Sequence, residues 1–142
     1  MLLKVIQDRI LQGGYINGAE ARELEASGVT DVLNLDIPYQ NIGEMAGTRL
    51  RFHSVPLHDM GTLSPDQVHS LLDVMHEVLD APDTRLYVHC SAGVSRSPTA
   101  IWLYLISRGV SQKEAARIIA PDGALLSKRA IDAAVNHGRH GT

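Results

Sequence analysis

With 142 residues, 44% of them hydrophobic, the chain is about one domain long and has enough apolar side chain to bury a core, so residues 1–142 read as a single domain with a frayed tail from 137. A formal charge of −3 leaves no broad basic field, which argues against nucleic acid as an electrostatically captured partner. The lone cysteine, Cys90, permits no internal disulfide, charges come too early for a signal peptide and no apolar run spans a membrane, so a cytoplasmic protein with no membrane partner is expected, with monomer as the expected state.

Ile10-Leu11-Gln12-Gly13-Gly14 reads as a short strand ending in a glycine turn, followed by a helix from about Ala19 to Ala26 that Gly28 stops. Residues 29–35 are rich in apolar and β-branched side chains and read as a buried strand. Residues 37–47 carry Pro38, Gly43 and Gly47 without periodicity and form an irregular connection. Residues 50–55 alternate like a strand.

Ser64-Pro65-Asp66-Gln67 carries the signals of a helix start, with serine as N-cap, proline at the first position and glutamine where a capping box needs it. Val68, Leu71, Leu72, Met75, Val78 and Leu79 then mark one face of an amphipathic helix that Pro82 ends. Leu86-Tyr87-Val88 reads as a strand, and Ser97-Pro98 as the N-cap and first turn of a helix apolar on all sides from Ala100 to Ile106. Arg108-Gly109 ends that helix, Ser111 with Glu114 opens another running to Ile119, and a last helix covers about Leu126 to Val135. Interleaved strands and helices give an α/β fold with a mainly parallel sheet and helices on both faces. In such sheets, sites lie at the carboxyl ends of strands, where the loop after Val88 sits.

That loop carries the chemistry. A lone cysteine is by default a small buried hydrophobe; here it is followed by Ser91, Ala92, Gly93, Val94 and Ser95, small enough to curl into a nest of inward-pointing N–H groups, and then by Arg96. A helix N-terminus aims at the same bowl. A thiolate there is favoured by every surrounding dipole. The N–H groups of residues 91–96 and the guanidinium fork of Arg96 suit the oxygens of a phosphate monoester. Cys90 then lies in line for displacement at phosphorus, giving a cysteinyl-phosphate intermediate. Asp59, on a loop after a strand and thirty-one residues before Cys90, is the candidate proton donor to the leaving group and base for the hydrolytic water; Asp66 reads as a first-turn acid instead. Ser97 can hydrogen-bond the departing sulfur, and His89 reads as a loop-orienting residue. His53, His58, His69 and His76 lack the spacing of a metal site, so no metal is expected.

The segment His89-Cys90-Ser91-Ala92-Gly93-Val94-Ser95-Arg96-Ser97 resembles the signature of cysteine-dependent phosphatases: His-Cys, five residues, Arg, then Ser or Thr. Its Ala-Gly-x-Ser-Arg-Ser wording is similar to the dual-specificity branch of the protein tyrosine phosphatase superfamily, and the acid some thirty residues upstream matches Asp59. The resemblance spans roughly residues 9–120. It implies a central sheet of about five strands flanked by helices, and hydrolysis with no metal or other cofactor. Two departures accompany it. Many relatives carry Arg-Pro and then Pro-Asn where this chain reads Ile119-Ala120-Pro121-Asp122-Gly123-Ala124-Leu125-Leu126, and no tyrosine-recognition loop is evident, which implies a shallow, permissive pocket.

Other readings differ in class. A phospho-ligand binding module would not need an intact nucleophile. Sulfurtransferases do not need this arginine and acid, arsenate reductases usually need further cysteines, and low-molecular-weight tyrosine phosphatases place the loop near the N-terminus. The loop interior lacks the lysines of phosphoinositide phosphatases, which favours a phosphorylated protein, through phosphotyrosine and also phosphoserine or phosphothreonine, while RNA and small phosphate esters stay open.

Overall fold

A computed structural model of the chain describes residues 3–14, 16–35, 47–57, 63–90, 96–119 and 128–140. Its elements are β1 (Leu3–Gln7), β2 (Ile10–Gly13), α1 (Gly18–Ala26), β3 (Asp31–Asn34), β4 (Arg51–Ser54), α2 (Pro65–Asp80), β5 (Leu86–His89), α3 (Arg96–Ser107), α4 (Gln112–Ile119) and α5 (Lys128–His140). The sheet has five strands in the order β1-β2-β5-β3-β4. β1 pairs antiparallel with β2 and the other three pairings are parallel. The mainly parallel α/β sheet expected from the sequence is therefore present, with β1 as an added antiparallel edge that the local pattern did not announce.

Alternation along the strands sorts the core into two layers. Ile10, Leu33, Leu86 and Val88 face one way, into a cluster with Cys90, the apolar face of α2, and α3, α4 and α5. Leu11, Val32 and Tyr87 face the other way, against Ala21 and Leu24 of α1. This period of two is what a sheet covered on both faces requires. Burying both faces in water-free contact is the main stabilising term, since each fully buried Leu or Val contributes about 1.5–3 kcal/mol.

Local signals set the ends of the elements. In α2, the Gln67 N–H donates to Ser64 Oγ at 3.2 Å and the Ser64 N–H donates to Gln67 Oε1 at 2.8 Å, closing the expected capping box with Pro65 in the first turn. Asn17 and Glu20 make the same reciprocal pair at the start of α1. Gly109 adopts a φ of 94° beyond α3, while the Val110 N–H donates to Leu105 O at 3.1 Å, so the helix ends where glycine tolerates the left-handed region.

Two expectations are corrected. α3 begins at Arg96, so Ser97 lies inside the helix rather than capping it. The tail expected to fray from 137 is helical to His140, and His137 is only 7% exposed, because its ring is packed against α2.

Candidate active site

Parallel pairing places Gly13, His89, Asn34 and Ser54 in one row across the sheet, at the carboxyl ends of β2, β5, β3 and β4. Beyond this row the ladder continues: the Leu35 N–H donates to His89 O at 3.0 Å, and the Leu57 N–H donates to Leu35 O at 2.9 Å. Cys90 is the first residue past β5, the central strand, and is 2% exposed, on the side of the sheet covered by α2 to α5. The strand that leads to it is flanked by β2 and β3 up to His89.

Five residues separate Cys90 from α3, whose first residue is Arg96. The chain therefore passes from a buried strand end to a helix N-terminus, where unsatisfied N–H groups and the helix dipole favour an anion. Ser91, Ala92, Gly93, Val94 and Ser95 lie outside the described residues, as do the side chains of Arg96 and Ser97. α3 itself is firmly seated, with Ala100, Ile101, Leu103, Tyr104, Leu105 and Ile106 all buried as its unbroken apolar run predicts.

His89 is 1% exposed, its ring centroid 5.7 Å from that of Tyr87. The Tyr87 hydroxyl in turn donates to Gly14 O at 2.7 Å, tying β5 to the segment after β2. Burial pushes this phenol well above its ordinary value, followed by the charges of Glu20 and Cys90, so Tyr87 is a neutral hydrogen-bond donor at any physiological pH.

Asp59 lies outside the described residues, two positions past Leu57. The strand that leads to it, β4, is separated from β5 by β3 alone, a lateral distance of roughly 10 Å at ordinary strand spacing. Between the end of β4 and the start of α2 lies a cavity of about 350 Å³ lined by Ser54, Val55, Pro56, Leu57, Asp66, Gln67 and Ser70. Asp66 sits in the first turn of α2, as expected of a helix-stabilising acid.

Asn34 was missed as a rim residue by the sequence reading. It is fully buried and stands directly beside His89 in the register. The signal was a lone amide within the apolar run Val32-Leu33-Asn34-Leu35, where a polar side chain needs a buried partner. Among the described residues, no group of three or more His, Cys, Asp or Glu side chains is arranged to hold a metal ion, and no helix is long and apolar enough to cross a membrane.

Comparison with known proteins bears on the same region. The family model PTP-SAK, described as "Swiss Army Knife protein, DSP-PTPase phosphatase domain", matches residues 14–140. Dual specificity protein phosphatase 26 of Bos taurus is 34% identical over 107 residues, covering 70% of this chain and 50% of that protein. The chain thus spans about half the length of the curated relatives it matches. Among solved structures, PTPMT1 in complex with PI(5)P has a TM-score of 0.76 at 20% identity, covering 97% of this chain and 95% of that one. P. aeruginosa TpbA in complex with pTyr has a TM-score of 0.70 at 16% identity, covering 96% and 82%. These two likenesses are likenesses of fold.

Proposed function

This chain belongs to the DSP-PTPase phosphatase-domain family, within the dual-specificity type of the protein tyrosine phosphatase superfamily, and on that premise we propose that it is a cysteine-dependent phosphomonoester hydrolase whose substrates are phosphorylated proteins. The observation that carries the reading is the position of Cys90: just past the end of the central strand, with five residues between it and a helix that begins with Arg96. A nucleophile there meets a phosphate bound at a helix N-terminus.

In this reading the backbone N–H groups of Ser91, Ala92, Gly93, Val94, Ser95 and Arg96, with the Arg96 guanidinium, hold three phosphate oxygens. The Cys90 thiolate attacks phosphorus in line with the ester oxygen; the S–P bond forms, the P–O ester bond breaks, and Asp59 gives its proton to the departing oxygen. Water then attacks the cysteinyl phosphate, the Asp59 carboxylate takes its proton, and the S–P bond breaks with the Ser97 hydroxyl donating to the departing sulfur. His89, buried beside Tyr87 at the strand end, orients the loop. No metal or cofactor enters these steps.

The fold neighbours are divided on substrate, one solved with pTyr and one with PI(5)P. The absence of lysine between Cys90 and Arg96 favours the phosphoprotein, because a polyanionic headgroup calls for added positive charge in the bowl. The need to keep Cys90 reduced fits a cytoplasmic setting.

Phosphate release from a phosphotyrosine peptide, a phosphothreonine peptide, PI(5)P vesicles and a 5′-phosphorylated RNA tests the assignment. Release from the phosphotyrosine peptide is expected, abolished in Cys90→Ser and slowed about 10²–10⁴-fold in Asp59→Asn, which keeps its affinity for the peptide. Near-normal turnover by Cys90→Ser would sink the mechanism, and peptide binding without turnover by the unaltered chain would make it a binding module.

A further inference from the structure

Away from this site, α5 meets α2 and α3 along a seam of imidazole rings. His137 of α5 lies between two histidines of α2, its ring centroid 5.5 Å from that of His69 and 4.8 Å from that of His76. Its Nε2–H donates to Asp73 Oδ1 at 2.8 Å, while its Nδ1 is buried with no hydrogen-bond partner among the described residues. His76 reaches the other way, its Nε2 lying 2.8 Å from Ser107 Oγ at the end of α3, and its ring packs 5.1 Å from Tyr104.

The proton inventory of this seam is determined by the network. Ser107 has one hydroxyl hydrogen and donates it to Tyr104 O at 2.6 Å, so its oxygen accepts from His76, whose Nε2 therefore carries the hydrogen. A second proton on His76 goes to Nδ1 and makes an imidazolium. Arg108 lies over the Tyr104 ring that packs on His76, its Cζ 5.5 Å from the centroid, held by Asp80 and by donation from its Nε to the Tyr104 hydroxyl at 2.9 Å. Asp73 accepts the His137 hydrogen, whereas the partner of His76 is a hydroxyl and not a carboxylate, which leaves His76 as the ring the docked seam needs neutral.

The apolar side chains that α5 brings to this contact are small or partly exposed: among the described residues, Ala130, Ala133 and Ala134 are buried and Ile131 and Val135 partly buried, so the imidazole rings are the large groups of the seam. We propose that the His69–His76–His137 seam is an acid-sensitive latch: α5 is held on α2 and α3 while His76 is neutral and loosens as a local unit when His76 takes a second proton.

The direction of titration agrees. Burial, then the positive charges of Arg108 and His137, push the His76 imidazole below its ordinary value, against weaker opposition from Asp80 and Asp73. A histidine held below its free value binds its proton more readily when undocked. The docked state is therefore favoured above the free histidine value of about 6.5 and loses that advantage as pH falls below it.

Native-state hydrogen exchange on the full chain at pH 7.5 and pH 5.5, corrected for intrinsic exchange, reads the latch without requiring phosphatase activity. Protection of peptides covering α5 is expected to fall on the order of tenfold more than that of peptides covering β5. His76→Gln keeps an N–H donor for Ser107 and removes the titration, so the extra fall should vanish while protection at pH 7.5 persists. Parallel changes in α5 and β5, or a full extra fall in His76→Gln, overturn the proposal. Should His76→Gln fail to fold, Arg108→Gln on an exposed side chain replaces it: relieving the cation beside His76 should cut the extra fall by half or more, and an unchanged fall is equally fatal.

Discussion

Asp31 is 1% exposed at the amino end of β3, and a carboxylate buried that deeply persists only if its oxygens are fully engaged. Arg51 donates to it through Nε at 3.0 Å and Nη2 at 2.8 Å, the Thr30 hydroxyl donates at 2.6 Å, and His53 Nε2 lies 2.8 Å away. Burial alone would raise the acid, but the donations from Arg51, Thr30 and His53 hold it below the ordinary value of an aspartate. A carboxyl held low contributes stability above the unfolded value of about 3.9 and loses it as pH falls from there. Asp31→Asn should therefore cost about 2 kcal/mol at pH 7, the range for hydrogen bonds to a charged group. In urea unfolding, the gap between variant and unaltered chain should narrow between pH 5 and pH 3; a pH-independent gap would show that packing, not charge, is what Asp31 supplies. None of this was legible beforehand, because the cluster joins residues from β3 and β4 that only the parallel register brings together. Cys90 was legible for the opposite reason: strand, small-residue loop and helix are consecutive in the chain.

The elements divide along the same line. Those that begin and end on local chemistry were readable: Ser64 and Gln67 at the start of α2, Ser111 at the start of α4 with the Glu114 N–H donating to its Oγ at 3.1 Å, and Gly109 after α3. Those fixed by distant partners were not. The turn between β1 and β2 has no glycine or asparagine; it is held instead by Arg9, which donates to the carbonyls of Leu79 in the last turn of α2 and of Ala81 and Thr84 beyond it. The length of α5 likewise depends on His137 meeting α2, a contact with no trace in the local pattern. For Gly109 the physical role is isolated enough to measure. A Cβ added there meets nothing within 4 Å, so Gly109→Ala should cost only the conformational penalty of its φ of 94°, about 1 kcal/mol in urea unfolding, and Gly109→Asn less. A cost of 3 kcal/mol or more would mean the glycine is required for packing.

At the scale of the whole molecule, the sheet separates two cores that the same strands share residue by residue. The larger one contains Cys90, Val88, Leu35 and Leu57, which carry the rim, together with α3, which starts at Arg96; the smaller one, under α1, contains none of these. Loss of packing should thus have different consequences on the two sides. Leu24 in α1 and Leu103 in α3 are both buried leucines, and truncating either to alanine should lower stability by about 2–5 kcal/mol. Leu24→Ala leaves the rim seated and should retain its turnover number wherever it is fully folded. Leu103→Ala removes support beneath the helix that presents Arg96, and since small displacements of a positioning group are costly in rate, its turnover should fall by about tenfold or more at equal folded fraction. Phosphate release assayed at a temperature where both variants are fully folded by circular dichroism separates the cases: equal turnover numbers would mean that the loop holds its own geometry and that the larger core contributes stability alone.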